Sequence, residues 1–151
     1  MATPGVKSAT PELAEPLNAR EASHFRSLVA RASYLAQDRV DIQYAVKELT
    51  RRMSSPDSED WVALKRLGRY LVGKPRIVLL YNNQHFQTYV DCWVDTDWAG
   101  CTRTRRSTSG GGVRWGGHTV KSWATTQASV ALSSGEAEYY GFVKGACQLL
   151  G

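Results

Sequence analysis

Gln87-Thr88-Tyr89-Val90-Asp91-Cys92-Trp93-Val94-Asp95 alternates in character along its length. Successive side chains of a β-strand point to opposite faces. The spacing therefore puts Val90, Cys92 and Val94 on one face, and Tyr89, Asp91, Trp93 and Asp95 on the other. A strand with one apolar face needs neighbouring strands and a layer to cover that face. Downstream, after a polar stretch over 97–109, residues 111–115 and 119–124 read as a hairpin joined by Gly116-Gly117, a pair suited to a tight turn. Ala131-Leu132-Ser133-Ser134 then leads into a last helix running toward Leu150, with Ser133 and Glu136 in capping-box spacing.

Upstream of this strand, the short apolar run 77–81 reads as a further strand, and before Pro75 the apolar period is helical. Asn18 and Glu21 have capping-box spacing, and Phe25, Leu28, Val29, Ala32 and Leu35 form one helical face. A second helix, capped by Asp38, would bury Ile42, Ala45, Val46, Leu49 and Met53. The third would start at Ser55-Pro56, since proline loses no hydrogen bond at a first helical position. Asp57, Glu59 and Asp60 at its start and Lys65, Arg66 and Arg69 further on complement the helix dipole. Trp61, Leu64, Leu67 and Leu71 form its apolar face, and Gly73 and Pro75 end it. With Pro4, Pro11 and Pro16 and no apolar period, residues 1–17 read as a disordered leader. The expected fold class is α+β: a three-helix segment over 18–75, then a lobe of antiparallel strands plus a helix over 76–151.

The chain has 151 residues, 42% apolar and 22% charged, with a net charge of +5. This is ordinary globular balance. No apolar run reaches the length of a membrane span, and the first residues lack the apolar stretch of a signal peptide. Three cysteines without a CxxC pair argue against a disulfide framework or a structural zinc site. An intracellular location and no membrane partner are the expectation. The mild basicity suits a nucleic-acid partner without demonstrating one.

Most site chemistries are absent: there is no Walker loop, no GxGxxG and no HExxH, and His24, His85 and His118 lack ligand-like neighbours. What stands out is acidic. Asp95 ends the alternating strand, and Glu136 and Glu138 lie in the first turns of the last helix. A carboxylate on a strand and another on a helix packed over it could share a hard divalent ion such as Mg²⁺. By pattern alone, two acidic spots in a basic chain read as solvated caps.

Four motifs occur in order: Val94-Asp95-Thr96-Asp97-Trp98-Ala99-Gly100, Arg105-Arg106-Ser107-Thr108-Ser109-Gly110, Ser122-Trp123, and Ala131-Leu132-Ser133-Ser134-Gly135-Glu136-Ala137-Glu138-Tyr139. Together they resemble the ribonuclease H region of copia-type retrotransposon Pol polyproteins. The helical half, through Tyr34-Leu35, Val40-Asp41-Ile42-Gln43-Tyr44-Ala45-Val46 and Trp61 with residues 64–71, resembles the end of the reverse transcriptase just upstream. The resemblance covers about residues 22–150. It implies hydrolysis of the RNA strand of an RNA–DNA hybrid by two Mg²⁺ ions held by four carboxylates. It assigns Asp95 as the first ligand and Glu138 as the second, because an aromatic or apolar residue, here Tyr139, follows the family's Glu. The other two carboxylates would fall after Gly151, so the chain is expected to be inactive alone. No Tyr-x-Asp-Asp motif is present, so DNA synthesis is not expected of this chain. The expected partners are an RNA–DNA hybrid or other nucleic acid and the rest of the Pol polyprotein. A non-catalytic remnant that binds nucleic acid or protein is the alternative.

Three further features carry two readings each. Arg103, Arg105 and Arg106 would hold phosphates beside a nuclease site or form a solvated turn. The basic helical residues Lys47, Arg51, Arg52, Lys65, Arg66 and Arg69 would track a nucleic-acid backbone or face solvent. Trp93, Trp98, Trp115 and Trp123 would stack on bases or pack in the core.

Overall fold

Asn18 starts the first helix as its spacing to Glu21 predicts. Its side chain accepts from the Glu21 N–H at 2.9 Å, and the Glu21 carboxylate accepts from the Asn18 N–H. In the computed structural model, which describes residues 3–5 and 14–151, α1 (Ala19–Leu35) is followed by α2 (Gln43–Thr50) and α3 (Ser58–Gly73). These belong to the first of two units, Met1–Val78 and Leu79–Gly151. Phe25, Val29 and Ala32 of α1, Ala45, Val46 and Leu49 of α2, Ile42 just before it, and Leu64, Leu67 and Tyr70 of α3 close one core. Burying each valine, leucine, isoleucine or phenylalanine among them stabilises the unit by about 1.5–3 kcal/mol.

The helix starts after α1 differ from expectation. Asp57, not Ser55, caps α3, in a reciprocal pair with Asp60. An aspartate two residues on offers a full carboxylate to the same orphan N–H groups. Asp38 lies in a turn and does not cap α2, whose cap position is Ile42 with no side-chain bond. The chain between α1 and α2 is held instead by buried Arg39, which donates to both Asp41 oxygens at 2.9 and 2.8 Å and to the carbonyls of Lys74 and Pro75. Tyr70 donates to the same carboxylate at 2.8 Å. Part of the stretch expected as a leader is also ordered. The Leu17 N–H donates to the Pro56 carbonyl, the Ser58 N–H donates to the Glu15 carbonyl, and Leu17 packs on the core. Thr3 accepts from Arg66, and residues 1–2 and 6–13 lie outside the described residues.

The second unit is a three-stranded antiparallel sheet with a helix on one face. Its elements are β1 (Asp91–Asp97), β2 (Thr108–Trp115), β3 (His118–Thr126) and α4 (Ser134–Leu150), and the strand order is β1-β2-β3. Val94 pairs with Gly111, Asp95 with Gly110 and Thr96 with Ser109. Gly116 takes the left-handed conformation, φ +58°, in the two-residue turn between β2 and β3. The run 77–81 does not form the expected strand. It lacks the alternation that would fix a register. Further along, Tyr81, Gln84 and Gln87 bond the β2–β3 hairpin instead: Tyr81 donates to the Thr119 carbonyl, Gln84 bridges Trp115 and Gly117, and the Trp115 indole donates to the Gln87 carbonyl.

Candidate functional site

α4 rests on the sheet through Ala137, Gly141 and Gly145, its three buried residues, spaced at i, i+4 and i+8. A Cβ on Gly141 would stand 2.5 Å from Thr96 Oγ1 and 3.1 Å from Val94 Cγ1. One on Gly145 would stand 2.5 Å from Val94 Cγ2 and 3.2 Å from Cys92 Sγ. Cys92, Val94 and Thr96 therefore face the helix. By strand alternation Trp93 and Asp95 point to the opposite side, and both are exposed. Glu138, next to the buried Ala137, is exposed on α4. The structure thus places Asp95 on the sheet face away from the helix that carries Glu138. Among the described residues, no three of His, Cys, Asp and Glu come together.

Glu136 has a structural place. Ser133 caps α4 by accepting from the Glu136 N–H, while the Glu136 carboxylate accepts from the Leu132 N–H at 2.7 Å and from the Tyr140 hydroxyl at 2.9 Å. The return bond goes one residue before the cap, so the box expected from the spacing is shifted rather than reciprocal.

After β1 the chain makes a tight loop. Ala99 (φ 49°) and Arg105 (φ 56°) are both left-handed, an uncommon conformation for non-glycine residues. The loop is fixed from within: Arg105 N–H donates to the Cys101 carbonyl at 2.8 Å, Cys101 N–H to the Arg106 carbonyl, and Thr104 N–H to Cys101 Sγ. The Asp97 carboxylate lies where any side chain on Gly100 would go. Arg103, Arg105 and Arg106 are all exposed, and their side chains have no partner among the described residues. A loop braced by its own backbone therefore presents three free guanidinium groups just beyond the strand that carries Asp95.

Behind the loop is a polar network that the sequence pattern does not reveal. Ser107 and Ser109 are buried; Ser107 Oγ accepts from the Ala99 N–H, and its carbonyl accepts from the Gln127 N–H. Buried Gln127 donates to Ser109 Oγ at 2.9 Å and to the Ala137 carbonyl at 2.8 Å, tying the loop and β2 to the first turn of α4. The only signal in the sequence is the small-polar run 107–109 at a strand start. Gln127 sits in no periodic pattern.

Most of the basic helical residues of the first unit are occupied within it. Arg52 pairs with Asp57 and Asp60, Lys47 and Arg51 pair with Glu48, and Arg66 donates to Thr3. The Arg39 hydrogen bonds hold Asp41 below the usual carboxylate range, whereas burial pushes Asp60 above it. Of the tryptophans read as stacking or core, Trp93 and Trp98 are exposed, and the Trp98 indole donates to the Ala131 carbonyl. The Trp123 ring covers Gly111.

The chain is 34% identical over 139 residues, 92% of its length, to a retrovirus-related Pol polyprotein from transposon RE2 of Arabidopsis thaliana. It is 37% identical over 116 residues to secreted RxLR effector protein 161 of Plasmopara viticola, 81% of which the match covers. The chain is similar to a segment of retrotransposon Pol polyproteins. The uncharacterized mitochondrial protein AtMg00810 of Arabidopsis thaliana is 39% identical over 127 residues. The chain spans about half of that relative and a tenth of the RE2 polyprotein. No protein-family profile and no solved structure matches the chain. Among its described residues, no helix is long and apolar enough to cross a membrane.

Proposed function

We propose that the chain is a copia-type Pol segment joining the end of a reverse transcriptase to the first half of a ribonuclease H-like lobe, and that alone it holds nucleic acid without cutting it. The element order carries this reading. An antiparallel β1-β2-β3 meander with Asp95 in its first strand is followed by a helix bearing Glu138. The helix lies on one face of the sheet. The parent domain would cleave the RNA of an RNA–DNA hybrid with Mg²⁺. Asp95 and Glu138 are the ligands the resemblance assigns to this chain, and here they stand on opposite sides of the sheet. They do not build a two-metal site themselves: no third carboxylate, histidine or cysteine joins either of them among the described residues. The binding role falls to Arg103, Arg105 and Arg106. They are unpaired and exposed on a braced loop, so their phosphate contacts would need little reordering.

The test is binding of a fluorescent RNA–DNA hybrid by the 151-residue chain as salt is raised, followed by incubation with Mg²⁺. Each phosphate contact contributes about 0.9 to the slope of log K against log salt. Replacing the three arginines with alanine should lower that slope by roughly two to three, and no cleavage should occur. An unchanged slope would remove the loop from the interface. Cleavage abolished by Asp95→Asn would show that the chain assembles a working metal site and that the binding-only reading is wrong.

A further inference from the structure

A groove of about 350 Å³ runs between α1 and α3 in the first unit. Its walls are Leu28 and Leu35 from α1 and Leu64 and Leu71 from α3, with Gly68 opening onto it and Arg31 and Lys65 at its rim. Each wall pairs leucines seven residues apart, about 10 Å along a helix axis at 1.5 Å per residue. That length matches two turns of a third helix presenting apolar residues at i, i+3, i+4 and i+7.

Gly68 supplies an independent observation. It lies inside the sixteen-residue α3, where glycine is the least favourable residue after proline. Nothing among the described residues requires it: a Cβ there would meet no atom within 4 Å beyond its own helix. A missing side chain at a groove is useful when the backbone of another helix must come close, as at the shorter interaxial distances of packed helices. The rim fixes the charge of that helix. Arg31 has no side-chain partner among the described residues, and Lys65 has only the Trp61 ring, 5.8 Å from its Nζ. Two unneutralised cations beside an apolar floor favour acidic flanks on whatever lies between them.

We propose that this groove seats an amphipathic helix of a protein partner, with leucine-type residues on its buried face and Asp or Glu toward Arg31 and Lys65. This does not depend on the nucleic-acid reading of the second unit. The probe is a labelled eighteen-residue helical peptide with Leu at i, i+3, i+4 and i+7 flanked by Glu. A second peptide carries Lys in place of Glu. Anisotropy with the full chain should show the acidic peptide binding at least tenfold more tightly than the basic one. Arg31→Glu with Lys65→Glu should reverse that preference. Gly68→Leu should weaken binding at least tenfold while circular dichroism and thermal midpoint show an intact fold. Equal affinity for the two peptides, no binding of either, or no effect of Gly68→Leu would overturn the proposal. So would a wild-type dimer by sedimentation that Gly68→Leu dissociates, since the occupant would then be a second copy.

Discussion

Glycine to alanine should have opposite signs at two helical positions of this chain. At Gly68 the added methyl meets nothing within 4 Å among the described residues beyond its own helix. The helix gains its normal preference for alanine, so Gly68→Ala should stabilise the first unit by about 0.5–1 kcal/mol. At Gly141 the same gain is available, but the methyl would sit 2.5 Å from Thr96 Oγ1 and 3.1 Å from Val94 Cγ1. Ordinary contacts between such atoms need about 3.5–4 Å, so α4 and β1 must part by roughly 1 Å. Thr96 yields only by leaving its rotamer, because its β-branched side chain is stiff at χ1. Overpacking of this kind costs about 1–3 kcal/mol, leaving a net loss centred on roughly 1–1.5 kcal/mol after the helical gain of about 0.5–1 kcal/mol. Gly145→Ala meets Val94 Cγ2 and Cys92 Sγ and should behave alike. The double variant should depart from additivity, since both methyls press on Val94. Hydrogen exchange resolves the two units separately. α4 and β1 amides should exchange about fivefold to thirtyfold faster in Gly141→Ala, with α1 and α3 amides unchanged. If Gly141→Ala slows exchange in α4 as Gly68→Ala does in α3, the close approach of α4 to β1 does not exist and the placement of Cys92, Val94 and Thr96 beneath it fails.

Arg39→Ala leaves the Asp41 carboxylate half-buried without its guanidinium and should cost about 3 kcal/mol or more by chemical denaturation, against less for Asp41→Asn. Because Asp41 is depressed below its ordinary 3.8, its contribution to stability is present at and above that pH and is lost as pH falls through the lower folded value; Asp41→Asn should flatten this acid limb in a denaturation series. Asp60, raised by burial, works the other way: its contribution declines as pH climbs from 3.8 to its folded value, and Asp60→Asn should remove that decline. Gln127→Ala strands the buried Ser109 hydroxyl and the Ala137 carbonyl; a loss of about 1–3 kcal/mol is expected, read as faster exchange of the first α4 turn and the 98–107 loop.

What the sequence discloses about this chain is facing, and what it withholds is coverage. Alternation in 87–95 correctly separates Cys92 and Val94 from Trp93 and Asp95, and helical spacing finds Phe25, Val29, Ile42, Val46, Leu64 and Leu67 for the first core. Neither period says which layer lies over a face, so alternation alone leaves open whether the helix bearing Glu138 covers Asp95. Caps were legible at Asn18 and Ser133, where one polar residue stands alone. At 55–57 serine, proline and aspartate compete, and the stronger acceptor wins. The Arg39–Asp41–Tyr70 and Ser109–Gln127–Ala137 networks left no trace because they join residues far apart in sequence through side chains that follow no period.

The two units also reach order by different means, and this bears on how the acidic strand is used. The first buries Phe25, Val29, Ile42, Val46, Leu49, Leu64 and Leu67 together. In the second, the buried apolar side chains are Val113, Ala131 and Ala137, while Trp93, Tyr139, Phe142 and Leu150 are exposed. With so small a core, the α4–sheet contact rests on glycine-permitted closeness and on the Gln127 network rather than on apolar volume. Among the described residues β1 pairs only with β2, so Asp95 lies on an edge strand, on the open face of the sheet, beside exposed Trp93. An edge strand and an uncovered apolar face together favour association with another polypeptide. Covering that surface would bury Asp95 among new neighbours, and it is there, rather than under α4, that further carboxylates would have to arrive for a metal site to form.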